Sequence, residues 1–277
     1  MSRYEDYGAV APTYDETRIA IGVEILCDSL RASGEPLRDL RLLDAGCGSG
    51  AYAQVLAARV GYIAAIDLND AMLSVARRKL AREDAAGRIA FHKGSIEALP
   101  FGERAFDAAM INQVLHHLED GGDDGWPGHR RVLSEIRRVL RPGGVLVVNM
   151  CTHTQLRDGF WYYDLAPAAR DACIRRHIPP ARFRQLLAEA GFEYRDAKVP
   201  LDEVIQGAAY FDPTGPLRER WRKGDSFWAL ATADQIALAE ARVREMKAAG
   251  TLSAWFTERD RRREKVGQVT FFEALRA

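Results

Sequence analysis

Two aspartates and three glycines carry the most specific chemistry in this chain. The apolar run Leu42-Leu43-Asp44-Ala45 enters the loop Gly46-Cys47-Gly48-Ser49-Gly50, and a helical stretch follows over 52–59. That order reads as a strand, a tight turn and a helix N-terminus, where an open α/β sheet lays a nucleotide-like ligand against backbone. Glycine suits the turn because a Cβ would block close approach and because such turns often need positive φ. A second buried-type strand over 62–66 ends at Asp67, 17 residues after the last glycine. A carboxylate there can accept both hydroxyls of an adenosine ribose.

The glycine spacing alone leaves the ligand open, because Gly46, Gly48 and Ala51 also satisfy the relaxed dinucleotide fingerprint. Asp44 separates the readings. A carboxylate facing the loop would sit near a pyrophosphate, and like charges ~4 Å apart repel by ~1 to 4 kcal/mol. A ligand with an ammonium or sulfonium there would be attracted instead. S-adenosylmethionine carries both cations and no phosphate, so the acid favours it.

The elements that must position these residues follow in order. A helix over 71–82 carries Met72 in its first turn, where Leu68 and Met72 could flank adenine. Strand 89–93 leads to Gly94-Ser95-Ile96, and Leu99-Pro100-Phe101 closes that loop. Strand 106–111 ends at Asn112-Gln113, followed by Val114-Leu115-His116-His117-Leu118. A helix over 129–140 runs into Arg141-Pro142-Gly143-Gly144 and strand 145–150.

Taken together, these segments resemble the class I S-adenosylmethionine-dependent methyltransferases, in the small-molecule branch with the ubiquinone and menaquinone enzymes. The matching residues are Leu42 to Gly50, Ile66-Asp67, Glu97-Ala98-Leu99-Pro100-Phe101, Phe106-Asp107, Leu115-His116-His117-Leu118 and Arg138-Val139-Leu140-Arg141-Pro142-Gly143-Gly144. They cover residues 40–150 in the family's order and spacing. The resemblance implies a Rossmann-like, seven-stranded, mostly parallel sheet with an antiparallel last strand and helices on both faces. It implies that Asp44, Gly46 and Gly48 line the methionine part of the cofactor, and that Asp67 holds the ribose with Leu68 and Met72 against adenine. Ser95 and Ile96 would stand at the adenine edge, and Asn112 near the sulfonium with Gln113 in the same shell. Ser95 departs from the branch, which commonly has an acid there to accept from the adenine amino group. In related enzymes an N-terminal Tyr-Asp segment often folds over the cofactor, which puts Tyr14 and Arg18 among its contacts; the alternative is a helix from about residue 19 to 31 packed on the sheet edge.

Beyond residue 150 the pattern is less regular. A helix over 180–190 ends at Gly191, a glycine stop, and strands are expected over 192–199 and 266–274. The expected organisation is an N-terminal lid and helix (1–35), a cofactor-binding core (36–150) completed by 180–200 and 266–277, and two insertions. These are 151–179 and the mostly helical 200–265, read either as a substrate cap or as an interface or packing layer.

Bulk properties suit an ordinary enzyme. Lys plus Arg equals Asp plus Glu at 39 each, so no net field recruits nucleic acid or an anionic membrane. The four cysteines form no C-x-x-C pair, which argues against a metal site or a disulfide framework. No signal-like segment or long apolar run appears, so the expected location is the cytoplasm, the expected partner a small-molecule substrate, and the state a monomer or homodimer.

A sulfonium is already an activated methyl donor, so in-line displacement chiefly needs a nucleophile held close and aligned. A hydroxyl, phenol or ammonium acceptor also needs a base, and His116, His117 and His153 all follow strand ends facing the pocket. Trp126, Trp161, Tyr162 and Tyr163 are candidates for an aromatic substrate wall, or for core packing of the cap. The basic stretch 259–265 alternates with acids and reads as a solvated helix face. The competing readings are a methyltransferase acting on protein or RNA, and a catalytically silent cofactor-binding subunit. An arsenic methyltransferase is disfavoured because no cysteine lies between 48 and 150, and a nicotinamide dehydrogenase by Asp44.

Overall fold

A computed structural model describes residues 19–118 and 125–277. Seven strands form one sheet: β1 (Arg41–Ala45), β2 (Tyr62–Asp67), β3 (Ile89–Lys93), β4 (Phe106–Asn112), β5 (Leu140–Met150), β6 (Phe192–Lys198) and β7 (Thr270–Arg276). Their spatial order is β3-β2-β1-β4-β5-β7-β6, with β7 antiparallel to both neighbours. β1, β2, β4 and the 145–150 part of β5 consist mostly of Val, Ile, Leu, Ala and Met, as parallel strands covered on both faces require. The order reverses between β1 and β4, which both leave their C-terminal ends beside the glycine loop. That is the topological switch point at which open α/β sheets bind ligands.

One face is covered by the helices Pro127–Val139 and Pro180–Glu189 among others; Val132, Leu133, Ile136, Phe183 and Leu186 join β-strand residues in one core cluster there, whereas Leu73 of the helix Asp70–Lys79 packs on the opposite face. The other face carries Leu26 and Leu30 of the helix Val23–Leu30, together with the residues that follow β5 and β6. Those two insertions pack on each other and share this second core. Asp164 binds them electrostatically, accepting Arg170 at 2.6 Å, Arg259 at 2.9 Å and Arg262 at 2.8 Å. The basic stretch is therefore split: Arg259, Arg262 and Arg263 turn toward the first insertion and the core, while Arg261 and Lys265 remain on the expected solvated face. Arg263 pairs with Asp260 at 2.8 Å and is nearly buried.

Several boundaries differ from the sequence expectation. The first helix begins at Val23, because Gly22 takes φ 65 and a Cβ there would stand 2.4 Å from Phe271. The helix expected over 71–82 starts at Asp70, capped by Asn69, whose side chain accepts from the Ala71 and Met72 amides, and it breaks at Leu80 (φ −110, ψ 24). The final strand starts at Thr270, since the helix Leu252–Val266 continues to Gly267 (φ 66). Among the described residues no helix is long and apolar enough to cross a membrane.

Candidate active site

The C-terminal tips of β1, β2, β4 and β5 meet at a cavity of about 240 Å³. The glycine loop forms its floor. The Gly46 and Cys47 amides donate to the Ile66 carbonyl at 2.8 and 3.0 Å, turning the chain across the end of β2. Gly46, Gly48 and Gly50 take φ 81, 52 and 78, the left-handed region that glycine enters without penalty. A Cβ on Gly46 would stand 2.5 Å from Val114 Cγ2, whereas one on Gly48 would meet nothing within 4 Å. Gly46 thus permits close packing, and Gly48 leaves room.

The two aspartates differ in how they are held. Asp67 Oδ2 accepts the Gly48 amide at 2.8 Å and Oδ1 accepts the Asn69 amide at 2.8 Å. Each carboxylate oxygen has a second lone pair for another donor. Burial raises the Asp67 carboxyl, against these backbone hydrogen bonds. Asp44 is 2 % exposed, and burial, with Asp67 adding, pushes its carboxyl up to about 8. Cys47, between them in the loop, is pushed up by burial and then by both carboxylates, so its thiol stays protonated.

Behind the cavity runs a chain of hydrogen bonds. Gln113 Nε2 donates to Asn149 Oδ1 at 3.0 Å, Asn149 Nδ2 donates to the Tyr52 hydroxyl at 2.7 Å, and that hydroxyl donates to the Ile21 carbonyl at 2.9 Å. Gln113 holds φ 56, a rare conformation for a side-chain-bearing residue, and its amide donates to the Asn149 carbonyl at 2.8 Å. Asn112 Nδ2 is buried without a hydrogen-bond partner on the cavity wall.

Asp44, Gly46, Gly48, Asp67, Leu68, Met72, Ser95, Ile96, Asn112 and Gln113 all line this cavity. Tyr14 and Arg18 lie outside the described residues. Ser95 Oγ accepts from the Glu97 amide at 3.1 Å, and it is Glu97, paired with Arg131 at 2.6 Å, that brings a carboxylate to this edge.

The histidines separate. His117 lines the cavity. His116 does not; its ring lies 4.0 Å from His117 and stacks at 4.6 Å on His177, which burial holds neutral with its ring lowered to about 4. His153 Nε2 lies 2.7 Å from the His177 carbonyl, away from the cavity. The aromatic wall is likewise corrected. Trp161, Tyr162 and Tyr163 are buried in the core of the insertions, with Trp161 Nε1 donating to the Tyr210 carbonyl at 2.9 Å. Tyr163 stacks on Phe227 at 3.8 Å, and Trp126 packs on His129. These rings carry the largest apolar areas available, and two long insertions need them to pack together.

Sequence reasoning missed Tyr52, Glu97 and Asn149, and the apolar rim of Ile19, Ile21, Ile205 and Val269. Asn149 had a readable signal, a lone amide inside the run Val145 to Met150. The rim did not, because it is assembled from distant segments: the Ile19 amide donates to the Ile205 carbonyl at 3.1 Å, and the Gly22 amide to Glu203 Oε1 at 3.0 Å.

Residues 43–148 match the family model of a methyltransferase domain. A ubiquinone/menaquinone biosynthesis C-methyltransferase of Methylobacterium nodulans is 32% identical over 179 residues, 57% of this chain and 67% of that protein. The chain belongs to the class I S-adenosylmethionine-dependent methyltransferases. S-adenosylmethionine is the cofactor of that family. The chain is also 32% identical over 135 residues, 49% of its length, to an uncharacterized methyltransferase of Mycobacterium tuberculosis, of which it spans 62%. In fold it is similar to a candidate methyltransferase from an antibiotic biosynthesis pathway of Anabaena variabilis, with a TM-score of 0.71, 19% identity, and coverage of 93% of this chain and 98% of that one.

Proposed function

We propose that this protein transfers a methyl group from S-adenosylmethionine to a small-molecule acceptor held beside His117. The observation that carries the reading is the charge of the cavity. Among its described lining residues are the carboxylates of Asp44, Asp67 and Glu97 and no lysine or arginine. Glu97 is partly neutralised by Arg131 and Asp44 holds a proton near neutral pH, so the preference for a cation over phosphate rests on Asp67 and on Asp44 ionising when a cation arrives.

The residues fit the cofactor. Asp67 keeps acceptor capacity on both carboxylate oxygens for the ribose hydroxyls, and Leu68, Met72 and Ile96 offer apolar surface for adenine. Glu97, rather than Ser95, is the acceptor we assign to the adenine amino group. Asp44 gains a cation that favours its ionised form, and the unpartnered Asn112 amide gains an oxygen to which it can donate. When bound there, the cofactor supplies an activated methyl group.

The remaining work falls to the chain. His117 takes the acceptor's proton at an imidazole nitrogen, and the His116–His177 stack supports its ring. Ile19, Ile21, Ile205 and Val269 exclude water and favour an acceptor with apolar surface. We read residues 36–150 as the cofactor-binding core and assign the insertions 151–179 and 200–265 to a cap, supported by Ile205 of the second insertion at the rim. The similarity to a ubiquinone/menaquinone biosynthesis C-methyltransferase supports an acceptor with apolar surface.

The test pairs calorimetry with a labelled-methyl assay. The protein should bind S-adenosylmethionine and not NAD, and incubation of a small-metabolite extract with labelled cofactor should yield a labelled product by mass spectrometry. Preference for NAD would overturn the cofactor reading; binding without any labelled product from small metabolites would overturn the proposed transfer.

A further inference from the structure

A second cavity lies at the opposite end of the sheet, where β4 and β5 begin and β7 ends. It encloses about 770 Å³ and is lined by Arg130, Arg137, Arg138 and Arg276, with Glu103 and Glu189. Two of these arginines are satisfied. Arg130 pairs with Glu189 at 2.5 Å, and Arg138 pairs with Glu135 at 2.8 Å while donating to the Phe101 and Leu99 carbonyls.

The others are not. Among the described residues, neither Arg137 nor Arg276 nor the adjacent Arg104 has a carboxylate within ion-pair distance. Arg276 Nη1 donates to the Leu140 carbonyl, but its Nε is buried and has no partner. Burial, and then the charges of Arg137 and Arg104, lower the Arg276 guanidinium; Glu103 acts in the other direction and offsets part of the excess. The backbone also makes room for this crowding. Gly191 takes φ 78, and a Cβ on it would stand 2.6 Å from Arg137 Nε.

Two unpaired guanidiniums, Arg137 and Arg276, line the space against the single carboxylate of Glu103, and exposed Arg104 adds its charge from outside the lining, so the groove carries an excess of positive charge that an anion would offset. Guanidinium forks match oxyanions in a bidentate manner, which a point cation would not. We propose that this groove is a binding site for a small multivalent oxyanion of the phosphate or diphosphate type, separate from the methyl-transfer cavity. The alternative, in which Arg137 merely faces the carbonyl end of the helix Pro180–Glu189, needs neither Arg104 nor the unpartnered Nε of Arg276.

Thermal unfolding of the whole protein with inorganic pyrophosphate, against sodium chloride at matched ionic strength, tests it. Pyrophosphate at a hundredfold excess over its Kd should raise the midpoint by roughly 5 °C or more. Arg137→Ala should remove most of that rise, and Arg104→Gln, farther from the helix end, should reduce it. S-adenosylmethionine affinity should stay unchanged in both variants, which separates this site from the cofactor cavity. A rise reproduced by chloride, or retained in full by both variants, would overturn the proposal. If Arg137→Ala does not fold, the Arg104→Gln comparison decides alone.

Discussion

The Gly48 amide donates to Asp67 Oδ2 at 2.8 Å, so the tip of β2 holds the loop that leaves β1. The same carboxylate fixes the Asn69 amide through its other oxygen, and Asn69 in turn caps the next helix. One side chain therefore shapes the floor of the cavity and starts the helix that carries Met72. Asp67→Ala is expected to weaken S-adenosylmethionine binding by roughly 10- to 100-fold, the loss of hydrogen bonds to a charged group. Titration calorimetry reads this directly, and undiminished affinity would remove Asp67 from the ribose role.

Asp44 predicts a pH dependence of unusual sign for an acid. Its folded-state carboxyl lies near 8, against 3.8 for the free group, so the folded protein holds a proton that the unfolded chain releases. Stability should therefore fall as pH rises between about 4 and 8, at up to ~1.4 kcal/mol per pH unit. Buried His177, lowered to about 4, pulls the other way below its ordinary 6.5. The comparison must accordingly be with Asp44→Asn, whose melting temperature should lack the Asp44 slope. A parallel pair of curves would contradict the assignment.

Binding of a cation beside Asp44 should expel that proton. At pH 7, calorimetry of S-adenosylmethionine binding in buffers of different ionisation enthalpy should show net proton release. Asp44→Asn should abolish it. Heats that do not vary with the buffer would mean the cationic part of the ligand lies elsewhere.

The loop glycines are not equivalent. Gly46→Ala meets both a left-handed backbone and the Val114 side chain, while Gly48→Ala meets only the backbone term, ~1 to 2 kcal/mol. Denaturant unfolding should show the larger loss for Gly46→Ala, partly restored by Val114→Ala. Equal losses would mean that the Val114 contact is easily relieved.

Tyr52→Phe deletes a hydroxyl that serves Asn149 and Ile21 at once. Leaving those buried groups unpaired should cost ~1 to 3 kcal/mol, a drop of several degrees in melting temperature. A variant as stable as the parent would show that water replaces the hydroxyl.

The cofactor half was legible because its signals are local: a strand, a glycine turn and an acid stand consecutively in sequence, and Asp44, Gly46 and Asp67 fall together as their order requires. The apolar rim of Ile19, Ile21, Ile205 and Val269 was not, because it is made by long-range pairing. Trp161 and Tyr162 have the composition of a substrate wall, yet the same apolar area packs the insertions together. Burial, rather than residue type, decides between these uses, and only tertiary structure reveals it. His116 and His117 show the same limit: adjacent residues diverge in direction, and one reaches the cavity while the other backs it.

The hydrogen bond from Ile19 to Ile205 joins two stretches that both lie outside the segment supplying the acids and glycines. The apolar rim and the polar floor of the cavity are thus supplied by separate parts of the chain. Substitutions at 19–22, 203–205 or 269 therefore reshape the apolar rim without touching the hydrogen bonds that hold Gly48 and Asp67.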